Sequence, residues 1–205
     1  NLNLLFKILL SGVLGLPLAV AAQSADHAVK EKATGWLRDD GSGFVENKGQ
    51  LYDQQGRPNT AVKYLLNMPG LNVQLRATGF SYDTWIKGKN KRKFHRVDIE
   101  LEGANAGALM TAAQPLAEAT NIINEQGSFA GIRSFKKVTY HDIYPGIDLE
   151  FVVSKGTSKP IEYNFIVHPG ADASAIRMKY NGQNRIGLKQ GNIEMVLNHG
   201  KLSER

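Results

Sequence analysis

The sequence predicts an all-β fold, either an antiparallel β-sandwich or an open barrel built from hairpins. Ten short segments are rich in β-branched or aromatic residues, and many of them alternate apolar with polar side chains. Such alternation is typical of strands that bury one face. Glycine-containing turn motifs separate most of these segments. The segments cover residues 61–68, 71–78, 79–86, 94–103, 134–143, 147–154, 161–168, 175–182, 185–190 and 192–198.

The turn motifs support the same prediction. Pro-Gly pairs occur at 69–70, 145–146 and 169–170, where they suit the two central positions of type II turns. One stretch departs from the strand pattern. Residues 104–120 are rich in alanine but contain Gly107 and Pro115, and they predict an irregular or short helical crossover.

The composition places the chain among globular proteins. It has 205 residues, of which 42% are hydrophobic and 21% charged, enough for one large domain or two small ones. The absence of cysteine excludes disulfides, a cysteine nucleophile and a cysteine zinc cluster. The net charge of +6 comes from scattered basic residues, apart from those at 87–96, so nucleic-acid binding is not expected.

The first residues have the anatomy of a signal peptide. Lys7 precedes an apolar run of roughly a dozen residues that ends in small side chains, which predicts a signal peptide over 1–22. This run is shorter than the ~20 residues that a membrane span needs, so no transmembrane segment is expected in the mature chain. Residues 23–43 are polar and predict a flexible tether, followed by a β-rich domain over 44–205. The chain is therefore expected at the cell surface or outside the cell.

Five blocks, at 43–50, 97–105, 138–151, 161–182 and 191–204, together resemble a known family. It is the N-terminal β-rich domain, of unknown function, in large exported proteins of Bacteroidota and some other bacteria. The resemblance implies β-propeller-type, immunoglobulin-like or polycystic-kidney-disease-type repeats downstream, and a sorting domain of gliding motility and type IX secretion. It also implies that 44–205 is truncated at its C-terminal end and has the downstream domains of the full-length protein as partners.

The stretch HDIYPGIDLEF at 141–151 offers candidate metal ligands. A hairpin end can bring Asp142 and Asp148 together, and calcium takes carboxylate and backbone oxygens. Alternatively, aspartates beside a Pro-Gly turn cap the turn by accepting hydrogen bonds from backbone N–H groups. Calcium is the one cofactor for which the sequence offers candidate ligands.

Basic residues between the predicted strands 79–86 and 94–103 form a candidate contact surface. They are Lys87, Lys89, Lys91, Arg92 and Lys93, with Trp85 at the base of the loop. Such a run is either a solvated loop tip or a contact for an anionic polysaccharide or envelope surface.

No catalytic motif is recognisable in the sequence. It has no Gly-x-Ser-x-Gly elbow and no His-Glu-x-x-His helix, its five histidines are isolated, and Glu46 has no identifiable partner. We therefore expect a non-catalytic module that acts in adhesion, surface assembly or polysaccharide binding. The alternative is a carbohydrate-active enzyme or its accessory domain, which would need two carboxylates facing one cleft.

Overall fold

The structure is a computed structural model and describes residues 42–89, 91–154 and 161–204. The predicted signal peptide 1–22 and residues 23–41 of the predicted tether lie outside the described residues. The strands are β1 Phe44–Glu46, β2 Val62–Met68, β3 Leu71–Arg76, β4 Gly79–Lys87, β5 Arg92–Leu101, β6 Leu109–Pro115, β7 Thr120–Asn124, β8 Gly127–Ile132, β9 Ser134–Tyr144, β10 Ile147–Val153, β11 Ile161–Val167, β12 Met178–Asn181, β13 Arg185–Lys189, β14 Asn192–Leu197 and β15 Gly200–Glu204.

The strands form one large antiparallel sheet and two small ones. The large sheet has the order β11-β10-β9-β1-β2-β3-β4-β5-β12, and β6 pairs with β9 outside this path. The small sheets are β13-β14-β15 and the hairpin β7-β8. The large sheet curls into half a barrel, which confirms the predicted class of antiparallel sandwich or open barrel.

Tight turns join consecutive strands into hairpins, so that strands which follow one another in the sequence are also neighbours in the large sheet. Gly70 (φ 82°) closes the β2–β3 turn, and Gly146 (φ 67°) closes the β9–β10 turn. Positive φ is the conformation that the third residue of a type II turn requires. Asp172 begins the next local element, because its Oδ1 accepts a 2.9 Å hydrogen bond from the N–H of Ser174 and caps a 3-10 helix at Ala173–Ala175.

The core follows from the alternation along the strands. In β10, Ile147, Leu149 and Phe151 are fully buried, while the residues between them are partly exposed. The ring of Phe151 packs 5.0 Å from that of Phe80 on β4. Met195 on β14 is also fully buried in this cluster, so β13-β14-β15 packs on the same core. Each such side chain stabilises the fold by about 1.5–3 kcal/mol.

The expectation of an irregular or helical crossover at 104–120 is wrong for residues 109–115, whereas 104–108 and 116–119 are irregular, as expected. Strand β6 pairs there with β9, and β7 begins at Thr120. Gly107 and Pro115 oppose a helix, whereas Met110 and Ala112 alternate toward the core cluster, as a strand requires. The hairpin β7-β8 and the last strand, β15, were not predicted either. Their sequences carry weaker apolar alternation than those of the predicted strands.

Candidate functional site

Alternate residues of β3, β4 and β5 point away from the core and form one exposed surface, which we call the outer face. Its members are set by the antiparallel register: Trp85 on β4 lies opposite Phe94 on β5, and Asp83 lies opposite Arg96. Asp83 also lies opposite Asn72 on β3. These pairs place an aromatic row beside a polar row that crosses three strands.

Hydrogen bonds hold the polar row in place. The amide of Gln74 donates to Asp83 Oδ2 at 2.7 Å, and a guanidinium N–H of Arg96 lies 3.3 Å from Asp83 Oδ1. Asp98 pairs with both Arg96 (3.1 Å) and Arg76 (2.9 Å). Each arginine on this part of the face therefore has a carboxylate partner, and the polar row is close to neutral.

The loop at 47–60 turns one end of the outer face into a cleft of about 640 Å³. Polar side chains line most of it, and Phe94 provides an aromatic ring that is 62% exposed. The lining residues are Tyr52, Asp53, Gln54, Gln55, Asn59, Asn72, Gln74, Asp83, Phe94, His95 and Arg96.

The block GFVENKGQ at 43–50 builds this loop. The side-chain amide of Asn47 donates to the carbonyl oxygens of Asn59 (2.9 Å) and Val62 (2.7 Å). Glu46 Oε1 accepts a 2.8 Å hydrogen bond from the N–H of Arg133 and pairs with Lys48 at 3.2 Å. These contacts give Glu46 a structural role on β1, and Asn47 fixes the wall of the cleft.

Two carboxyl groups in the cleft have pKa values displaced in opposite directions. Burial raises the pKa of Asp83, and Asp98 adds to this effect while Arg96 opposes it. The pKa of Asp53 is lowered by the hydrogen bond from the backbone N–H of Arg57 and by the Arg57 guanidinium, which lies 2.9 Å away. Asp83 therefore protonates more readily than Asp53.

The structure distributes the predicted basic loop over two faces of the β4–β5 hairpin. Trp85, Lys87 and Arg92 belong to the outer face, because Lys87 lies opposite Arg92 in the row beyond Trp85 and Phe94. The guanidinium of Arg92 lies 4.4 Å from the centroid of the Trp85 ring. Lys93 lies opposite Ile86 and points to the other face. Lys89 and Lys91 are exposed in the turn between the two strands.

The calcium candidates are engaged in the β9–β10 turn. Asp148 Oδ1 accepts a 2.8 Å hydrogen bond from the N–H of Asp142, and Asp142 Oδ1 accepts one of 3.2 Å from the N–H of Gly146. Asp142 has a φ of 50°, a left-handed conformation that this pair of bonds stabilises. The two carboxylates thus cap the turn.

Two histidines complete the environment of Asp148. Its Oδ2 lies 3.2 Å from His168 Nε2 and 3.7 Å from His141 Nδ1. Although burial acts to raise the pKa of Asp148, the hydrogen bonds from Asp142 and His168 lower it. In the part of the chain that the structure describes, no group of three or more His, Asp or Glu is placed to hold a metal ion. Calcium binding stays a prediction, which the unfolding temperature in excess chelator tests.

The site residues predicted from the sequence include Trp85, Lys87 and Arg92, at the hairpin end of the outer face, but none of its polar row. Asn72, Asp83 and Arg96 are ordinary polar positions of three alternating strands, and only the register brings them together. The short turns at 69–70 and 77–78 fix that register, so counting outward from each turn would have found the row.

In residues 42–89, 91–154 and 161–204 there is no helix of sufficient length and apolar character to cross a bilayer.

Comparisons with known proteins identify the family to which the chain belongs. No curated protein and no solved structure matches the chain. Residues 44–205 match the family model described as "Domain of unknown function (DUF7948)", and the chain belongs to this family.

Proposed function

We propose that the domain is a non-catalytic, glycan-binding module that binds polysaccharide on the outer face. The observation that carries the proposal is the exposed ring of Phe94 beside the polar row of the cleft. A sugar ring has an apolar face that stacks on an aromatic side chain, and hydroxyl groups that exchange hydrogen bonds with amides and charged groups.

The geometry favours recognition of this kind because the polar side chains are already ordered. Gln74 and Arg96 are both held against Asp83, so little side-chain freedom is lost when a ligand binds. The amide oxygen of Gln74 and the remaining guanidinium N–H groups of Arg96 provide acceptors and donors for sugar hydroxyls. The open shape of the cleft suits the side of a polymer chain.

We further propose that this module works in an exported or cell-surface protein, where it serves adhesion or surface assembly. The signal-peptide pattern at 1–22 and the resemblance to domains of large exported proteins support this location. A glycan-binding domain at the start of such a protein would attach the downstream domains to a polysaccharide.

Affinity electrophoresis of the full chain in gels that contain soluble polysaccharides tests the binding proposal. The wild-type protein should be retarded by at least one polysaccharide, and Phe94→Ala should weaken that retardation by about tenfold. Leu188→Ala, which removes an 81% exposed side chain from β13, is the matched control. Retention that is equal in wild type and Phe94→Ala would place the binding surface elsewhere.

A second candidate function is glycoside hydrolysis in the same cleft. Asp53 and Asp83 both line the cleft, and their pKa values are displaced in opposite directions, as a general acid and its ionised partner require. An enzyme would release reducing ends from the retained polysaccharide, and Asp83→Asn would abolish this release. If the wild-type protein binds and releases no reducing ends, this candidate is excluded for the polymer tested.

A further inference from the structure

We propose that the bound glycan is an acidic polysaccharide whose carboxylate groups bind at Arg92 and Lys87, at the hairpin end of the outer face. This inference rests on the proposed function, since it names the class of polymer that the same face takes. It follows from the arrangement of paired and unpaired cations along the face.

The cations in the polar row are neutralised by their neighbours. Arg96 pairs with Asp83 and Asp98, and Arg76 pairs with Asp98. A carboxylate of a ligand that approached this row would meet two aspartates as well as two arginines. The polar row is therefore suited to hydroxyl groups and offers no net charge to an acid group.

The cations at the hairpin end differ in this respect. Within the described ranges, neither Arg92 nor Lys87 forms an ion pair with a carboxylate, and both are exposed. They lie opposite each other in the register, so both charges belong to the same end of the face. An anionic group that binds there gains two charge-assisted contacts without displacing a protein carboxylate.

Trp85 fixes the orientation of Arg92. The guanidinium stacks 4.4 Å from the centroid of the indole ring, in a cation–π arrangement. A cation–π contact places no oxygen acceptor against the guanidinium N–H groups. Those groups can therefore bind the two oxygens of a carboxylate, in the bidentate geometry that arginine forms best.

The spacing connects this anionic site to the sugar-stacking site. Arg92 and Phe94 are two residues apart on β5 and face the same side, so their Cα atoms lie about 7 Å apart. A sugar that stacks on Phe94 would therefore place its own acid group, or that of the next sugar, beside Arg92. The same polymer would extend its hydroxyl groups over Asp83 and Arg96, in the polar row.

A non-specific polyanion surface would use the hairpin differently. Lys89 and Lys91 lie in the exposed turn, and Lys93 points to the other face. Nucleic acid or an anionic membrane would draw on all of these cations, because such binding depends on the summed charge. Dependence on Arg92 and Lys87 alone distinguishes an acidic polysaccharide from these ligands.

The experiment compares polymers that differ only in charge. Binding of the full chain to polygalacturonate and to alginate is measured by affinity electrophoresis and calorimetry, beside the methyl-esterified form of each. We expect the wild-type protein to bind at least one acidic polymer about tenfold more tightly than its ester. The double variant Arg92→Gln/Lys87→Gln should remove that difference and leave binding of the ester unchanged.

The double variant Lys89→Gln/Lys91→Gln is the matched control, since it removes the same charge from the same hairpin. It should change the affinity by about twofold or less. Equal binding of acid and ester that also depends on Phe94 would overturn the inference and leave the proposed function standing. Absence of binding to every polysaccharide tested would overturn both.

Two further results would identify a general polyanion surface and so overturn the inference. The first is a loss of affinity in Lys89→Gln/Lys91→Gln that equals the loss in Arg92→Gln/Lys87→Gln. The second is binding to double-stranded DNA, or to phosphatidylglycerol vesicles, as tight as binding to the acidic polysaccharides. Unfolding curves of both double variants should stay close to that of the wild type, because all four side chains are exposed and only the contact between Arg92 and Trp85 is lost.

Discussion

The guanidinium of Arg92 lies 4.4 Å from the centroid of the Trp85 ring, and this contact joins the two strands of the β4–β5 hairpin above the outer face. It places a cation with no carboxylate partner in the described ranges beside the aromatic row that includes Phe94. The hairpin thus combines the two groups that an acidic sugar needs, an aromatic surface and an oriented guanidinium.

Trp85→Ala should weaken binding to an acidic polysaccharide by about two- to fivefold, because a cation–π contact contributes about 0.5–1 kcal/mol at exposed sites. Trp85→Phe should lose less, since a smaller ring still attracts the guanidinium. Calorimetry with polygalacturonate at low ionic strength provides the measurement. Equal affinity in Trp85→Ala and wild type would show that Arg92 needs no support from the ring.

Asn47→Ala should destabilise the domain by about 1–3 kcal/mol, although Asn47 is not in the core. Its side chain donates to two backbone carbonyls and its Oδ1 accepts a 2.9 Å hydrogen bond from the N–H of Gly49, so three bonds of the loop at 47–60 depend on it. Urea unfolding measures the loss, with Asn67→Ala, at an exposed position of β2, as the control.

The same variant tests how the loop contributes to binding. Because the loop forms a wall of the cleft, Asn47→Ala should also weaken polysaccharide retention without removing a lining residue. A variant that unfolds earlier but retains full affinity would show that ligands contact the sheet alone.

The parts of this fold that could be predicted from the sequence are those in which neighbouring residues determine the local structure. The Pro-Gly turns and the alternation of Ile147, Leu149 and Phe151 each follow from neighbouring residues. Strand β6 was missed because its pairing with β9 comes from tertiary packing, which its alanine-rich sequence signals weakly.

The residues of the candidate site also fall into two groups, those that are close together in the sequence and those that only strand pairing brings together. Trp85 and the cations of the hairpin stand close together in the sequence, and they were therefore predicted as one group. The polar row was not, because it requires the register of two successive hairpins, and Asp53 reaches the cleft only through the loop that Asn47 holds. Local patterns predict turns and faces, whereas a site assembled across strands depends on the pairing.

Asp148→Asn should destabilise the domain at pH 7 by about 1 kcal/mol, because the carboxylate accepts a backbone hydrogen bond and faces two histidines. The pKa of Asp148 is lowered in the folded protein, so this stabilisation is fully present above the ordinary aspartate pKa of about 3.9. It is lost as the pH falls below that value, through the lowered pKa of the folded state.

Urea unfolding of wild type and Asp148→Asn between pH 7 and pH 2.5 checks this prediction. The difference between the two proteins should persist down to about pH 4 and shrink below it. Glu125→Gln, in the exposed turn between β7 and β8, controls for the loss of one negative charge. A difference that persists unchanged at pH 2.5 would mean that the ionised carboxylate contributes nothing.

The last prediction concerns the contact between the small sheet and the large one. Glu204 Oε2, at the end of β15, accepts hydrogen bonds from the hydroxyls of Tyr180 (2.6 Å) and Tyr163 (3.1 Å), which belong to β12 and β11. Burial and the charge of Glu204 raise the pKa of both tyrosines above their ordinary value of about 10.

Tyrosines with a raised pKa make folding stability fall as the pH rises above about 10, because the unfolded chain then releases protons that the folded state retains. Each such tyrosine contributes about 1.4 kcal/mol per pH unit to the slope. Tyr180→Phe should therefore reduce the slope between pH 10 and pH 11.5 by about this amount, while it lowers stability at pH 7 by about 1 kcal/mol. Urea unfolding across this range measures both quantities. An unchanged alkaline slope in Tyr180→Phe would show that Tyr180 ionises in the folded protein as it does in the unfolded chain, and that its hydroxyl is not held against Glu204.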